Sequence, residues 1–132
     1  MGLLKYISNK LYSNGKEVLT EDSIESGTYT YGQWTKFPDG TLIETFMSTY
    51  EYPCTNDAGN SWFKTDNLSI DFHSTFIAPP IVTPLAQGVD AIIEGVAGTV
   101  GTPTTTKTTF YGQARYNTWK LKIGYIAIGR WK

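Results

Sequence analysis

The chain is short of the residues that most often carry chemistry. It holds one cysteine, one histidine and two methionines in 132 residues. A lone Cys54 excludes an intrachain disulfide framework. With no second Cys or His at zinc spacing, Cys54 reads as a structural thiol. Charged side chains are scarce at 17%, and the formal net charge is −1. That leaves no electrostatic footprint for nucleic acid or an anionic membrane. No apolar run approaches ~18 residues, so no helical membrane span or membrane insertion is expected. The opening "MGLLKYISNKLYSNGK" lacks the apolar core of a secretory signal, and synthesis in the cytoplasm fits.

Aromatics are plentiful by contrast, at 14%, within a hydrophobic share of 40%. Many Tyr and Trp with few charges point to β-structure and a surface built for contact. The length allows one domain with a core of its own. Two regions differ along the chain. Residues 1–27 read as a connecting segment. Leu4, Ile7 and Leu11 stand at a heptad-like spacing, compatible with a short helix over residues 3–11, although one and a half heptads cannot specify a coiled coil. Asn14-Gly15 is a two-residue hairpin signal, and "SIESGT" reads as a linker.

From Thr28 to Lys132 the pattern is all-β. "YTYGQWTKF" and "TLIETFMSTYEY" flank a "PDG" turn, in which Pro38 presets φ and Gly40 tolerates positive φ. Residues 53–67 read as one long polar loop. "LSIDF" reads as a strand. The prolines of "APPIVTPLAQ" confine that stretch to an edge or broken strand. "AIIEGVAG", "KTTFYGQARY" and "WKLKIGYIAIGRWK" supply the remaining strands. Short strands with polar turns suggest a sandwich or barrel.

The last stretch stops on Trp131 and Lys132, straight out of an apolar run. One face carries Trp119, Leu121, Ile123, Tyr125, Ala127, Gly129 and Trp131, the expected core face. The other is charged at its ends but holds Ile126 and Ile128 in its middle. A half-exposed antiparallel strand should be polar there. Either a second layer of the same chain or another subunit around a symmetry axis must cover them.

"YGQWTKFPDGTLIE" together with "YIAIGRWK" resembles the C-terminal head domain of bacteriophage tail fibres and related receptor-binding proteins, and is similar to the H-type lectin sandwich. The upstream "LYSNGKEVLTE" is similar to segments that join such heads to fibre shafts. The resemblance implies an antiparallel six-stranded β-sandwich head over residues 28–132 and a homotrimer with Ile126 and Ile128 at its interface. It implies a virion protein made in the host cytoplasm, attached to other phage tail proteins through residues 1–27, and recognition of host cell-surface glycans. A purely structural trimerisation knob capping a fibre is the alternative, and a glycan-cleaving tail enzyme a third.

No catalytic constellation is visible, and the chain reads as a non-enzyme without cofactor or metal. His73 has no Ser/His/Asp order around it. Asp66 and Asp71, or Asp90 and Glu94, would need to meet across a cleft to act as a glycosidase pair. "TNDAGN" offers oxygen ligands but is not an EF-hand loop. Sugar recognition needs an aromatic face and a few fixed polar groups that read hydroxyls. Asp57, Asn60 and Trp62 offer that kit in one loop. Arg115, Tyr116 and Asn117 offer it at the turn before the last strand, where Trp119 reads as core.

Overall fold

A computed structural model describes residues 23–89 and 95–132 in full, together with the backbone pairing of three short strands upstream. Those are β1 (Leu4–Ile7), β2 (Lys10–Ser13) and β3 (Lys16–Glu17), which form an antiparallel three-stranded sheet. Leu4, Ile7 and Leu11 thus lie in strands, and the helix compatible with their spacing is absent there. Ser13 pairs with Lys16, and the expected Asn14-Gly15 turn lies outside the described residues.

The rest is a sandwich. The strands are β4 (Glu25–Tyr29), β5 (Gly32–Lys36), β6 (Thr41–Met47), β7 (Tyr52–Pro53), β8 (Asn56–Gly59), β9 (Trp62–Lys64), β10 (Leu68–Asp71), β11 (Ile81–Gly88), β12 (Gly95–Thr99), β13 (Lys107–Ala114) and β14 (Lys120–Arg130). One six-stranded sheet runs β11-β14-β6-β5-β4, with β7 beside β14. A five-stranded sheet runs β10-β13-β9-β8, with β12 beside β13. The expected antiparallel sandwich is therefore present, and short additional strands raise it above the six implied by resemblance. Alternation drives the assembly: Leu121, Ile123, Tyr125 and Ala127 of β14 are all fully buried, facing Phe110 and Ala114 of β13 in one core. Aromatic rings knit that core, with Tyr125 5.6 Å from both Phe46 and Phe72.

Two stretches depart from expectation. Residues 53–67 are not one loop: β7, β8 and β9 occupy most of it. "NDAG" hides its strand because β8 lies at a sheet edge, where polar side chains are tolerated. The hairpin turn is made by Asn60 and Ser61 at φ +52° and +63°. The end of "SIESGT" is likewise not linker, since Glu25–Tyr29 pairs along its length with β5. The proline-bearing β11 is an edge strand, as expected. Residues 91–94 of "AIIEGVAG" lie outside the described residues, and its remainder begins β12.

Ile126 and Ile128 sit on the outward face of the six-stranded sheet. Ile128 lies between Ile81 and Ile43 in the ladder, and Ile126 between Thr83 and Thr45. Ile81 is 78% exposed and Ile128 46% exposed, so no layer of the described chain covers this row. Beside it runs an apolar groove of about 430 Å³, lined by Leu85, Met47 and Ile126 and rimmed by Tyr31 and Gln33.

The chain end is tied to the "PDG" turn. Trp131 donates its backbone N–H to the Gly40 carbonyl and its indole N–H to the Phe37 carbonyl, both at 2.9 Å. Arg130 donates to the Asp39 and Lys132 carbonyls. Gly40 has φ +99°, and a Cβ there would meet the Arg130 guanidinium at 2.4 Å. Asp39 accepts from the Thr41 N–H at 2.8 Å, which chiefly holds its carboxyl below the usual range, with Arg130 and Lys132 adding to the effect.

Glu44 is the one acidic side chain that faces inward on β6, and it is fully buried. Its carboxylate accepts from the His73 N–H at 2.6 Å, the Ser74 N–H at 3.0 Å and the Tyr125 hydroxyl at 3.2 Å. The Tyr29 hydroxyl lies 3.4 Å away and gives its proton to the closer Thr45 carbonyl. Burial, with Glu44 adding its negative charge, pushes the Tyr29 phenol up to about 12. The Tyr125 phenol is raised in the same sense, again chiefly by burial.

Two outcomes follow. Trp131 is half-buried against the core, so Trp131→Ala should cost about 2–3 kcal/mol, somewhat below a fully enclosed tryptophan, read by urea denaturation. A variant as stable as the parent would sever the chain end from the fold. The raised phenols contribute stability that is complete below their unfolded value near pH ~10 and lost as pH climbs through the folded value. Unfolding free energy should fall between about pH 10 and pH 12, and Tyr29→Phe should flatten part of that fall. Identical profiles for the two proteins would refute the assignment.

Candidate functional site

The two polar stretches singled out above meet in space. Phe63 of β9 pairs with Ala114 of β13, and both turn inward to the core. Strand alternation therefore sends their neighbours Trp62 and Arg115 to the opposite, outward face of the five-stranded sheet. There the Arg115 guanidinium lies 5.5 Å from the Trp62 ring centre, a cation–π pair. One repeat along the same face, Lys64 holds its ammonium 5.5 Å from the Tyr111 ring. Cationic and aromatic side chains thus form a band down β9.

The other predicted residues divide. Tyr116 is 57% exposed and meets Trp119 edge-on at 4.7 Å, in a turn closed by a Trp119 N–H to Tyr116 carbonyl bond of 3.2 Å. Trp119 itself packs against the core. Asn117 is exposed within that turn. Asp57 accepts from the Gly59 N–H at 2.7 Å, a local bond that shapes the β8–β9 hairpin. Asn60 supplies positive φ to the same hairpin, a conformation Asn tolerates better than most residues. Asp57 and Asn60 therefore have turn-making work that accounts for their identity, while Trp62, Arg115 and Tyr116 present contact surface.

Sequence reasoning missed a second group. Asn56, Lys64, Thr65, Asp66 and Asn67 line a polar depression of about 270 Å³ beside the band. Its residues come from β8, β9 and the connection to β10, and only the period-2 alternation of "WFK" hints at the shared face. The remaining chemical candidates have identifiable surroundings. The ring of His73 stacks on Tyr29 at 4.8 Å and lies 6.1 Å from Trp34. Cys54 is fully buried, and burial pushes its thiol up. Asp66 accepts from the Asn56 amide at 2.8 Å, and Asp71 lies opposite Lys107. Asp90 and Glu94 are outside the described residues. Among the described residues no group of three or more His, Cys, Asp or Glu side chains is placed to hold a metal ion.

No family model matches the sequence, and no curated protein matches it. Two solved structures are similar in fold. Against the P. aeruginosa R1 pyocin fibre the TM-score is 0.60 at 13% identity, covering 80% of this chain and 28% of that one. Against an N-truncated R1-type pyocin tail fibre the TM-score is again 0.60 at 13% identity, covering 80% of this chain and 84% of that one. The chain thus has the fold of a tail-fibre domain and spans just over a quarter of the longer fibre chain.

If Asn60 serves the turn, Asn60→Gly should keep full thermal stability, because Gly adopts positive φ at no steric cost. Asn60→Ala should lose about 1 kcal/mol. Equal losses in both would point instead to a role for the amide itself.

Proposed function

We propose that this chain is the receptor-binding head of a phage-type tail fibre, and that it binds a saccharide on the bacterial surface without cleaving it. The observation that carries the reading is the meeting of Trp62 and Arg115, 5.5 Å apart on an outward sheet face, within a fold shared with a pyocin tail fibre. An indole edge offers apolar surface to a sugar ring, and a guanidinium offers donors to its oxygens. Exposed Tyr116 extends the contact surface. In this reading the site resembles that of H-type lectins in kind, the head sits in the virion, and residues 1–27 join it to other tail proteins.

The head works as a homotrimer. Support comes from the exposed row of Ile81 and Ile128 with Ile43 and Ile126 beside it. Isolated surface isoleucines are ordinary, whereas a contiguous apolar sheet face marks an interaction surface. The same observation favours a second reading, a structural knob that fixes trimer register and binds no receptor.

A glycan array probed with the purified chain separates the two. The binding reading expects selective signals on bacterial surface saccharides. Trp62→Ala should weaken them by about 1–2 kcal/mol, the scale of a lost aromatic contact, while sedimentation stays at three times the chain mass. A blank array from a well-formed trimer would favour the knob. A monomer at micromolar concentration would remove the interface.

A further inference from the structure

The polar depression beside the Trp62–Arg115 pair is unused by the reading above. We infer that it is a separate saccharide subsite that takes one neutral, hydroxyl-bearing ring. The inference shares with the proposed function only the saccharide class. Its residues are different, and so is its test.

Size comes first. About 270 Å³ lies just below the ~300–1,000 Å³ common for small-molecule sites. The depression therefore suits a single ring and not an extended chain.

Polarity comes second. A sugar hydroxyl both donates and accepts, so a site that reads one needs groups of both kinds. Asp66 supplies a carboxylate acceptor, and Lys64 an ammonium donor. Asn56 and Asn67 supply amides, which do both. One negative and one positive group face the same space. An acidic ligand would meet Asp66 and a basic ligand would meet Lys64, so the charge pattern selects a neutral one.

Preorganisation is the third element. The Asn56 amide is already oriented by its 2.8 Å bond to Asp66. Beneath them Thr65 is fully buried. Its hydroxyl donates to the Asp66 carbonyl at 2.8 Å and accepts from the Gly112 N–H at 3.1 Å. Its own N–H bonds the Gly112 carbonyl at 2.9 Å. The Asp66 backbone is thus fastened to β13, the central strand of the sheet. Lys64 is seated over Tyr111. Groups held in this way lose little further freedom when a ligand arrives, which is where weak sugar affinity is usually gained or lost. The face is also the one turned away from the isoleucine row, so assembly through that row leaves it open.

The test is backbone amide NMR on the full chain. The probes are the methyl glycosides of glucose, galactose and mannose, with N-acetylneuraminic acid as the acidic comparison. At least one neutral glycoside should shift the amides of residues 56 and 64–67, while the acidic sugar leaves them in place. Asp66→Asn keeps an acceptor for the Asn56 amide and should weaken that glycoside about tenfold, as expected when a charge-assisted bond becomes neutral. Asn67→Ala, on the exposed rim, should weaken it as well. Trp62→Ala should leave these shifts within about twofold, which separates this subsite from the neighbouring pair. Shifts from none of the neutral glycosides would overturn the inference. So would shifts that survive both Asp66→Asn and Asn67→Ala, or shifts produced by the acidic sugar alone.

Discussion

A buried carboxylate that is bonded to uncharged donors among the described residues holds this sandwich in register. Glu44 occupies an inward position of β6 where alternation asks for an apolar side chain. Leaving such a charge unpaired in the core would cost several kcal/mol. The structure offsets it with two backbone N–H groups from the 73–74 segment and the Tyr125 hydroxyl of β14. The requirement acts on the topology. Segment 73–74 must return to β6 to supply its donors, which carries Phe72 and Phe76 into the core on either side. His73 is then laid over the inward side chains of β4 and β5, Tyr29 and Trp34. One charge thus ties β6, β14 and the segment that leads from β10 to β11.

Strand β14 is the second half of the same constraint. It is the longest strand, at eleven residues, and has partners on both edges. Along one edge β6 gives way to β7, and Ser48 bridges the gap by bonding Ile123 through both its N–H and its hydroxyl. A strand so placed cannot fray at its last residues without loosening the sheet. The clamp of Arg130 and Trp131 on the turn at Asp39 and Gly40 closes that end. The two stretches that carry the resemblance to tail-fibre heads are therefore one physical unit. "KFPDG" is the turn, "GRWK" is the hook that grips it, and Tyr125 to Phe46 pairing connects them along the ladder.

Much of this was legible where a single rule governed a residue. Period-2 alternation found the buried face of β14, and the isoleucines on its back stood out because they broke the rule. Proline placed β11 at an edge. The hairpin at Asn60 was hidden because its turn is made by Asn and Ser, and because an edge strand four residues long needs no apolar pattern. The spacing of Leu4, Ile7 and Leu11 left helix and strand open because three apolar positions are too few to fix a period, and they fall in two different strands. Glu44 could be placed inward by alternation, but no local signal names donors that lie nearly thirty or more residues away. The site was half legible for a similar reason. Trp62 and Arg115 are recognisable by type, whereas their meeting depends on a two-residue pairing between β9 and β13.

The two sheets also divide the surface by chemistry. Outside the six-stranded sheet, Ile43, Ile81, Ile126 and Ile128 leave an apolar face that water solvates poorly. Outside the five-stranded sheet, Trp62, Lys64, Tyr111 and Arg115 alternate rings with cations, next to amides and a carboxylate. Each ring on this second face is capped by a cation, which leaves less bare apolar surface there than along the isoleucine row. A sandwich lends itself to such a division because every strand shows one side to the common core and leaves the other free. The two outer faces can then differ in chemistry without altering the buried alternation that folds the chain.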